Sequence, residues 1–270
     1  MRWSRVLAVV RRDLSVALGS KAVVLPALLV PLVILVILPA GIGLSPRFLA
    51  DGDLDDLAPL LAALPPERLA ALPADPALAT AVVTLTLLLL PMLLLVPVMV
   101  ATVIAADGVA GEQERRTLEG LLLTPVSDRE LATAKLLAAW LPAVVLGLAG
   151  AVLYALVVHL TLGRQLGAVL LPDASFLVLV LWVSPAFAAA TLGAVMLVSV
   201  RSRSTQEAYQ LGGLVVLPVV GLVIAQAAGA LVLSPAALWI TGLVAALLAA
   251  GLLRLATRAL SRTTLGPRLG

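Results

Sequence analysis

No cysteine occurs among the 270 residues, which excludes disulfides, thiolate metal sites and thiol catalysis. The single histidine, His159, cannot build a histidine-based metal cluster alone. Aromatics make up only 3% of the chain. Charge is the more telling scarcity. Asp, Glu, Lys and Arg together supply 12% of the residues, about half of what a soluble domain carries. What fills the chain instead is apolar: 62% hydrophobic residues and a mean hydropathy of +1.15. For most of this sequence the solvent is lipid, so the expected class is an all-α integral membrane protein.

The isoelectric point of 9.9 comes with a net charge of only +3. The bases lie in four short segments rather than in a patch with interleaved aromatics, so no nucleic-acid partner is implied. Retention of Lys and Arg on the cytoplasmic side of a bilayer explains them.

In chain order, residues 1–21 are too charged to insert and have helical periodicity. Trp3, Val6, Leu7, Val10, Leu14, Ala17 and Leu18 share one side, while Arg2, Arg5 and Arg12 share the other. This predicts an N-terminal amphipathic interfacial helix with its arginines among anionic headgroups. Val9 and Val16 spoil its polar side, and Arg11 intrudes on the apolar one. The apolar run 22–44 is too long for a signal-peptide core and reads as a retained first span, bent by Pro26, Pro31 and Pro39. Residues 45–76 are acidic and cut by Pro59, Pro65, Pro66 and Pro73, which predicts an outer loop of short helical fragments resting on the membrane surface. Their acids lack the EF-hand spacing for calcium.

Five further spans are expected at about 77–106, 136–160, 174–200, 211–233 and 236–256, the last two divided at Ser234-Pro235. Residues 257–270 form a basic tail. With six transmembrane helices, 15 of the 18 bases fall on one side and only Arg47, Arg68 and Arg164 on the other. That bias predicts a multi-pass protein of a prokaryotic plasma (inner) membrane with both termini cytoplasmic. Small residues at packing spacing, such as Gly242, Ala246 and Ala250, or Ala225 and Gly229, predict close helix approach.

No Asp, Glu, Lys or Arg sits in the middle of a proposed span, which argues against ion-coupled carriers and proton pumps. There is no HExxH and no G-x-S-x-G, so proteolysis is not indicated and no catalytic or metal-ligating residue is assigned. The chain is expected not to be an enzyme.

The most densely charged run between two spans is 111–135, GEQERRTLEGLLLTPVSDRELATAK. Glu112 with Arg116, and Arg115 with Glu119, have i,i+4 spacing, and Leu118, Leu121 and Leu122 make an apolar stripe. Thr124-Pro125 should end that helix. Ser127 and Glu130 have the spacing of a capping box that starts the next one. By residues alone this is either a solvated return loop or a docking element for a cytoplasmic partner.

ERRTLEGLLLTPVSDRELATAK resembles the cytoplasmic signature of permeases in the ABC-type-two exporter family. The match rests on Glu114, Arg115, Thr117, Leu118, Glu119, Leu121, Leu122, Thr124, Pro125, Val126, Ser127, Glu130 and Lys135, with Arg116 in place of the usual glycine. RRDLSVALGSKAVVLPALLVPLVILVILP and RSRSTQEAYQ are similar to that family as well. The resemblance implies a six-helix half-transporter that pairs with a second permease subunit, itself or a paralogue, and with two copies of an ABC ATPase subunit. Residues 107–135 would be the cytoplasmic coupling segment. Its expected ATPase-docking residues are Glu112, Glu114, Arg115, Thr117, Leu118, Glu119, Leu122, Thr124, Pro125 and Ser127. This chain has no G-x-x-x-x-G-K-[ST], so ATP and Mg are expected on the partner and no cofactor here. The function so implied is ATP-driven export of a substrate out of the cytoplasm, and spans without charge suit an amphiphile, drug or lipid. A secondary carrier or channel, and a membrane scaffold, are the alternatives.

Overall fold

The computed structural model describes residues 2–19, 21–46, 54–115, 127–202, 204–229 and 234–259. The described residues are helical, with no strand among them. The helices are α1 (Trp3–Gly19), α2 (residues 21–44), α3 (Leu54–Ala62), α4 (Pro66–Ala70), α5 (Pro76–Glu114), α6 (residues 128–166), α7 (Ala174–Ser199), α8 (Thr205–Ala227) and α9 (Pro235–Ala259). Five of them, α5 to α9, are long and apolar enough to cross a membrane. The apolar stretch Leu28–Leu44 of α2 is shorter.

Prolines shape these helices without ending them. A proline removes an N–H, and its ring crowds the carbonyl four residues earlier. Wide π turns lie just ahead of Pro39 (Val33–Ile37), Pro91 (Thr84–Leu88) and Pro185 (Leu179–Val183). After the turn before Pro91, the chain tightens into a 3-10 stretch, Leu90–Leu94. The three prolines of the first apolar run therefore leave a helix that is continuous over residues 21–44.

The central staff is α5. Leu85, Leu90, Leu94, Val98 and Ala101 on it are fully buried, and they share one core with Leu35 of α2, Tyr154 of α6, Val183 and Ala188 of α7, and Val219 of α8. In contrast, α8 and α9 turn most of their side chains outward, including Leu214, Leu217, Ile224, Ile240 and Leu247. For a chain in lipid this costs little, because hydrocarbon solvates those side chains as a core would.

Three local expectations are redrawn by tertiary contacts. The buried side of α1 is Val6, Val9 and Val10, packed on Leu131, Ala134 and Ala138 of α6. Trp3 and Leu7 are 58% and 61% exposed. Val9 thus belongs to the buried face, because the neighbour that sets that face is a helix and not the bilayer alone. In the segment before α5, Leu60 and Leu64 pack on Val83 and Leu87 of α5, so this part of the chain caps the bundle end. On α9 the inward face is Gly242, Ala245 and Ala249, whereas Ala250 is exposed. Gly242 is required there by close approach: a Cβ would overlap Nε1 of Trp182 on α7. That indole N–H donates to Trp239 O at 3.3 Å.

Candidate functional site

The charged end of the bundle is where α5 leaves the apolar core and α6 enters it, with α1 laid alongside. The local chemistry of α6 follows its sequence. Ser127 Oγ accepts the Glu130 N–H at 3.3 Å, and Glu130 Oε2 accepts the Ser127 N–H at 3.1 Å, closing the capping box. Glu130 has a second task, since its Oε1 accepts the Arg2 backbone N–H at 2.6 Å and so ties the start of α1 to the start of α6.

One turn further along α6, Lys135 is buried, its side chain only 2% exposed. Its ammonium donates to Glu112 Oε2 at 2.6 Å and to the Gly108 carbonyl at 2.6 Å, and lies 3.7 Å from Asp13 Oδ2. Arg12 completes the group, at 3.4 Å from Glu112 Oε1 and 3.6 Å from Asp13 Oδ1. Two acids and two bases from three elements thus neutralise one another in a largely dry setting, where an unpaired charge would be costly. Burial pushes the Asp13 carboxyl above its ordinary range, and the nearby Lys135 ammonium opposes that shift.

Gly108 lies in a π turn, Asp107–Gly111, that widens the end of α5. Asp107 Oδ1 accepts from Arg115 Nη1 at 3.1 Å. Past this turn, Glu114 Oε2 accepts both the backbone N–H and the hydroxyl of Thr205, at 2.9 and 2.6 Å, which joins α5 to the first residue of α8. A crevice of about 30 Å³ lies among Asp13, Asp107, Glu112, Arg115 and Lys135. It suits a water or two, not a cargo.

The ten residues expected at a partner surface separate as follows. Glu112 is buried and held by Lys135 and Arg12, and Glu114 is exposed and bonded to Thr205. Arg115 is exposed and pairs with Asp107; Ser127 is exposed and caps α6. Thr117, Leu118, Glu119, Leu122, Thr124 and Pro125 lie outside the described residues, as do Arg116 and the predicted helix stop at Thr124-Pro125. Glu112 and Arg115 pair at longer range with Lys135 and Asp107, while Arg116 and Glu119, the i,i+4 partners expected for them, lie outside the described residues.

Sequence reasoning passed over Arg12, Asp13 and Thr205 as members of this site. A signal for Asp13 was available: on a helical wheel it falls between Val6 and Val9, and a carboxylate on an apolar face calls for a buried base. Within the bundle, two polar side chains were likewise unremarked. Tyr154 donates its hydroxyl to Leu85 O at 2.6 Å, and Gln226 donates Nε2 to Leu87 O at 2.9 Å. Both carbonyls belong to the broken stretch of α5 ahead of Pro91.

A second feature is an apolar cavity of about 390 Å³ between α7, α8 and α9. Phe187, Thr191, Val215, Pro218, Ile240 and Leu252 are among its lining. The Thr191 hydroxyl, buried at its edge, has no hydrogen-bond partner among the described residues.

None of the curated proteins compared with the chain matches it. A family model, that of the ABC-2 family transporter protein, matches residues 7–243. The match begins within α1 and ends within α9, so it takes in every element that builds the charged end. A family of this kind supplies the membrane component of a transporter, without an ATPase domain of its own, and implies an ABC ATPase as partner. By this match over most of its length, the chain belongs to the ABC-2 family of transporter proteins.

Proposed function

We propose that the chain is the membrane-spanning permease subunit of an ATP-driven exporter, with six spans and both termini in the cytoplasm of a prokaryotic cell. It works with a second permease subunit and two copies of an ABC ATPase that carry the ATP and Mg. The observation that carries this reading is the charged end itself. Glu112, Glu130 and Lys135 tie α5, α6 and α1 together at the base of residues 116–126. A solvated return loop has no need of a buried ion cluster at its root, whereas a segment that is pushed by a partner does.

Within this reading the partner-facing surface comprises Arg115, Thr117, Leu118, Glu119, Leu122, Thr124, Pro125 and Ser127. Glu112 and Glu114 stand behind it and brace it. ATP binding closes the ATPase pair, the segment follows, and the spans on either side of it shift between two arrangements. Nucleotide biases those arrangements only by its differential affinity for them. The cavity between α7, α8 and α9 has an apolar lining suited to an amphiphile, drug or lipid.

The test is affinity purification of the tagged chain in mild detergent, with mass spectrometry of its companions. A stoichiometric companion with Walker motifs is the expected result. Recovery of the chain alone across several detergents, together with transport that persists after ATP depletion, would overturn the proposal in favour of a secondary carrier.

A further inference from the structure

The fourth of the five long helices, α8, is the loosest of the bundle by its side chains, with Leu211, Leu214, Leu217, Val220 and Ile224 all exposed. Yet it is held at both ends by polar bonds, and both lead to α5. At one end Thr205 gives its N–H and its hydroxyl to Glu114 Oε2, across 91 positions of sequence. A carboxylate at the first turn of a helix meets unpaired N–H groups and the positive end of the helix dipole, so the bond is suited to that end. At the other end, 139 positions apart, Gln226 Nε2 donates to the Leu87 carbonyl, the one that Pro91 cannot serve with an N–H.

Between these bonds the two helices run antiparallel and touch. A Cβ on Gly212 would stand 3.0 Å from Thr102 Cγ2, and Ala208 and Val219 are buried. Thr205 and Gln226 are roughly 30 Å apart along α8 at 1.5 Å per residue, which matches the hydrocarbon thickness of a bilayer of about 30 Å. The two bonds are thus about one bilayer core apart along α8.

We infer that α8 is strapped to α5 at both ends and travels with it, and that Glu114 is a positioning residue that carries displacement of residues 107–115 into α8. This rests on the permease reading for its driving force, but the strap itself does not. The consequence is a third moving helix. Sequence adjacency makes α5 and α6 respond to the segment, and the strap adds α8, which the chain order would leave out.

The lack of native cysteine makes the test direct. Spin labels are placed at Leu214→Cys on α8 and Leu181→Cys on α7, a helix outside the moving set, both exposed, and their distance distribution is read by pulsed electron paramagnetic resonance in nanodiscs. For the chain alone, a narrow distribution is expected, and its width should at least double in the background Glu114→Ala with Gln226→Leu. An unchanged width would show that there is no strap. Should that background not yield folded protein, Thr205→Val, which removes only the hydroxyl bond, should broaden the distribution to a smaller degree, and no broadening there is equally fatal.

A second arm uses the complex with whatever ATPase co-purifies. A non-hydrolysable ATP analogue should shift the mean distance, and Glu114→Ala should remove at least half of that shift while the ATPase stays bound. A full shift in the variant, or no shift without the variant, overturns the transmission role. So does loss of the ATPase, which would make Glu114 a docking group. If no ATPase co-purifies at all, the permease proposal fails, and the width measurement on the chain alone still decides the strap.

Discussion

Replacing Lys135 with methionine removes the base at the centre of the charged end while keeping an unbranched apolar stem. The ammonium has three oxygen neighbours: Glu112 at 2.6 Å, Gly108 O at 2.6 Å and Asp13 at 3.7 Å. Breaking one partner of a buried ion pair costs about 3–5 kcal/mol, because the other charge remains buried. Here Arg12 stays within 3.4 Å of Glu112 and takes up part of that charge, its own side chain 43% exposed. The lower bound of about 3 kcal/mol is therefore expected. For a chain of this length that corresponds to a fall in Tm of about 5 °C.

The assay is thermal unfolding of the detergent-solubilised chain followed by size-exclusion fluorescence. The double change Lys135→Met with Glu112→Gln removes the base together with its closest acid. It should lose less than the two single changes added, with a coupling of about 1–3 kcal/mol. If Lys135→Met left Tm within about 1 °C of the unmodified chain, the buried pair would not be contributing, and the argument from burial would be refuted.

Three more outcomes are expected. Gly242→Leu puts a side chain into Trp182, so it should cost about 1–3 kcal/mol by overpacking and alter the tryptophan emission of the Trp182–Trp239 pair, whose rings lie 5.3 Å apart. Burial raises the Asp13 carboxyl, so its contribution to stability is present below its ordinary range and is lost as pH rises through the raised value. Asp13→Asn, neutral throughout, should then gain in Tm relative to the unmodified chain as pH rises above the ordinary carboxylate value of about 4; a constant difference would contradict the assignment. Leu118→Asp with Leu122→Asp should abolish stimulation of a co-purified ATPase while the chain stays in the membrane, and undiminished stimulation would remove the apolar stripe from the docking surface.

Much of this was legible before any coordinates. Long apolar runs have one answer in lipid, the helix, because each N–H and C=O must be satisfied within its own segment. The capping box at Ser127 and Glu130 was legible for a similar reason: both of its bonds close within four residues. The faces of helices were less so. Periodicity placed Val9 on the wrong side of α1, and Gly242-Ala246-Ala250 stood for a face that is Gly242-Ala245-Ala249. In a span where nearly every residue is apolar, the wheel has no polar side against which to orient.

The least legible features were the long-range polar bonds. Nothing local says that Lys135 would meet Glu112 and Asp13, that Glu114 would turn to Thr205, or that Gln226 would serve the carbonyl ahead of Pro91. A sequence shows that a buried charge or a proline-freed carbonyl will need a partner, but which partner depends on which helices are neighbours.

The sequence by itself determined the solvent of this protein, its helical class, the capping box that opens α6, and the motif that marks its family, since all of these follow from composition and from contacts within a few residues. Tertiary structure alone decided which side of each helix is inward, how three elements share one buried ion cluster, and that α8 is tied to α5. Those outcomes depend on distances between segments up to 139 positions apart, and only packing in three dimensions sets such distances.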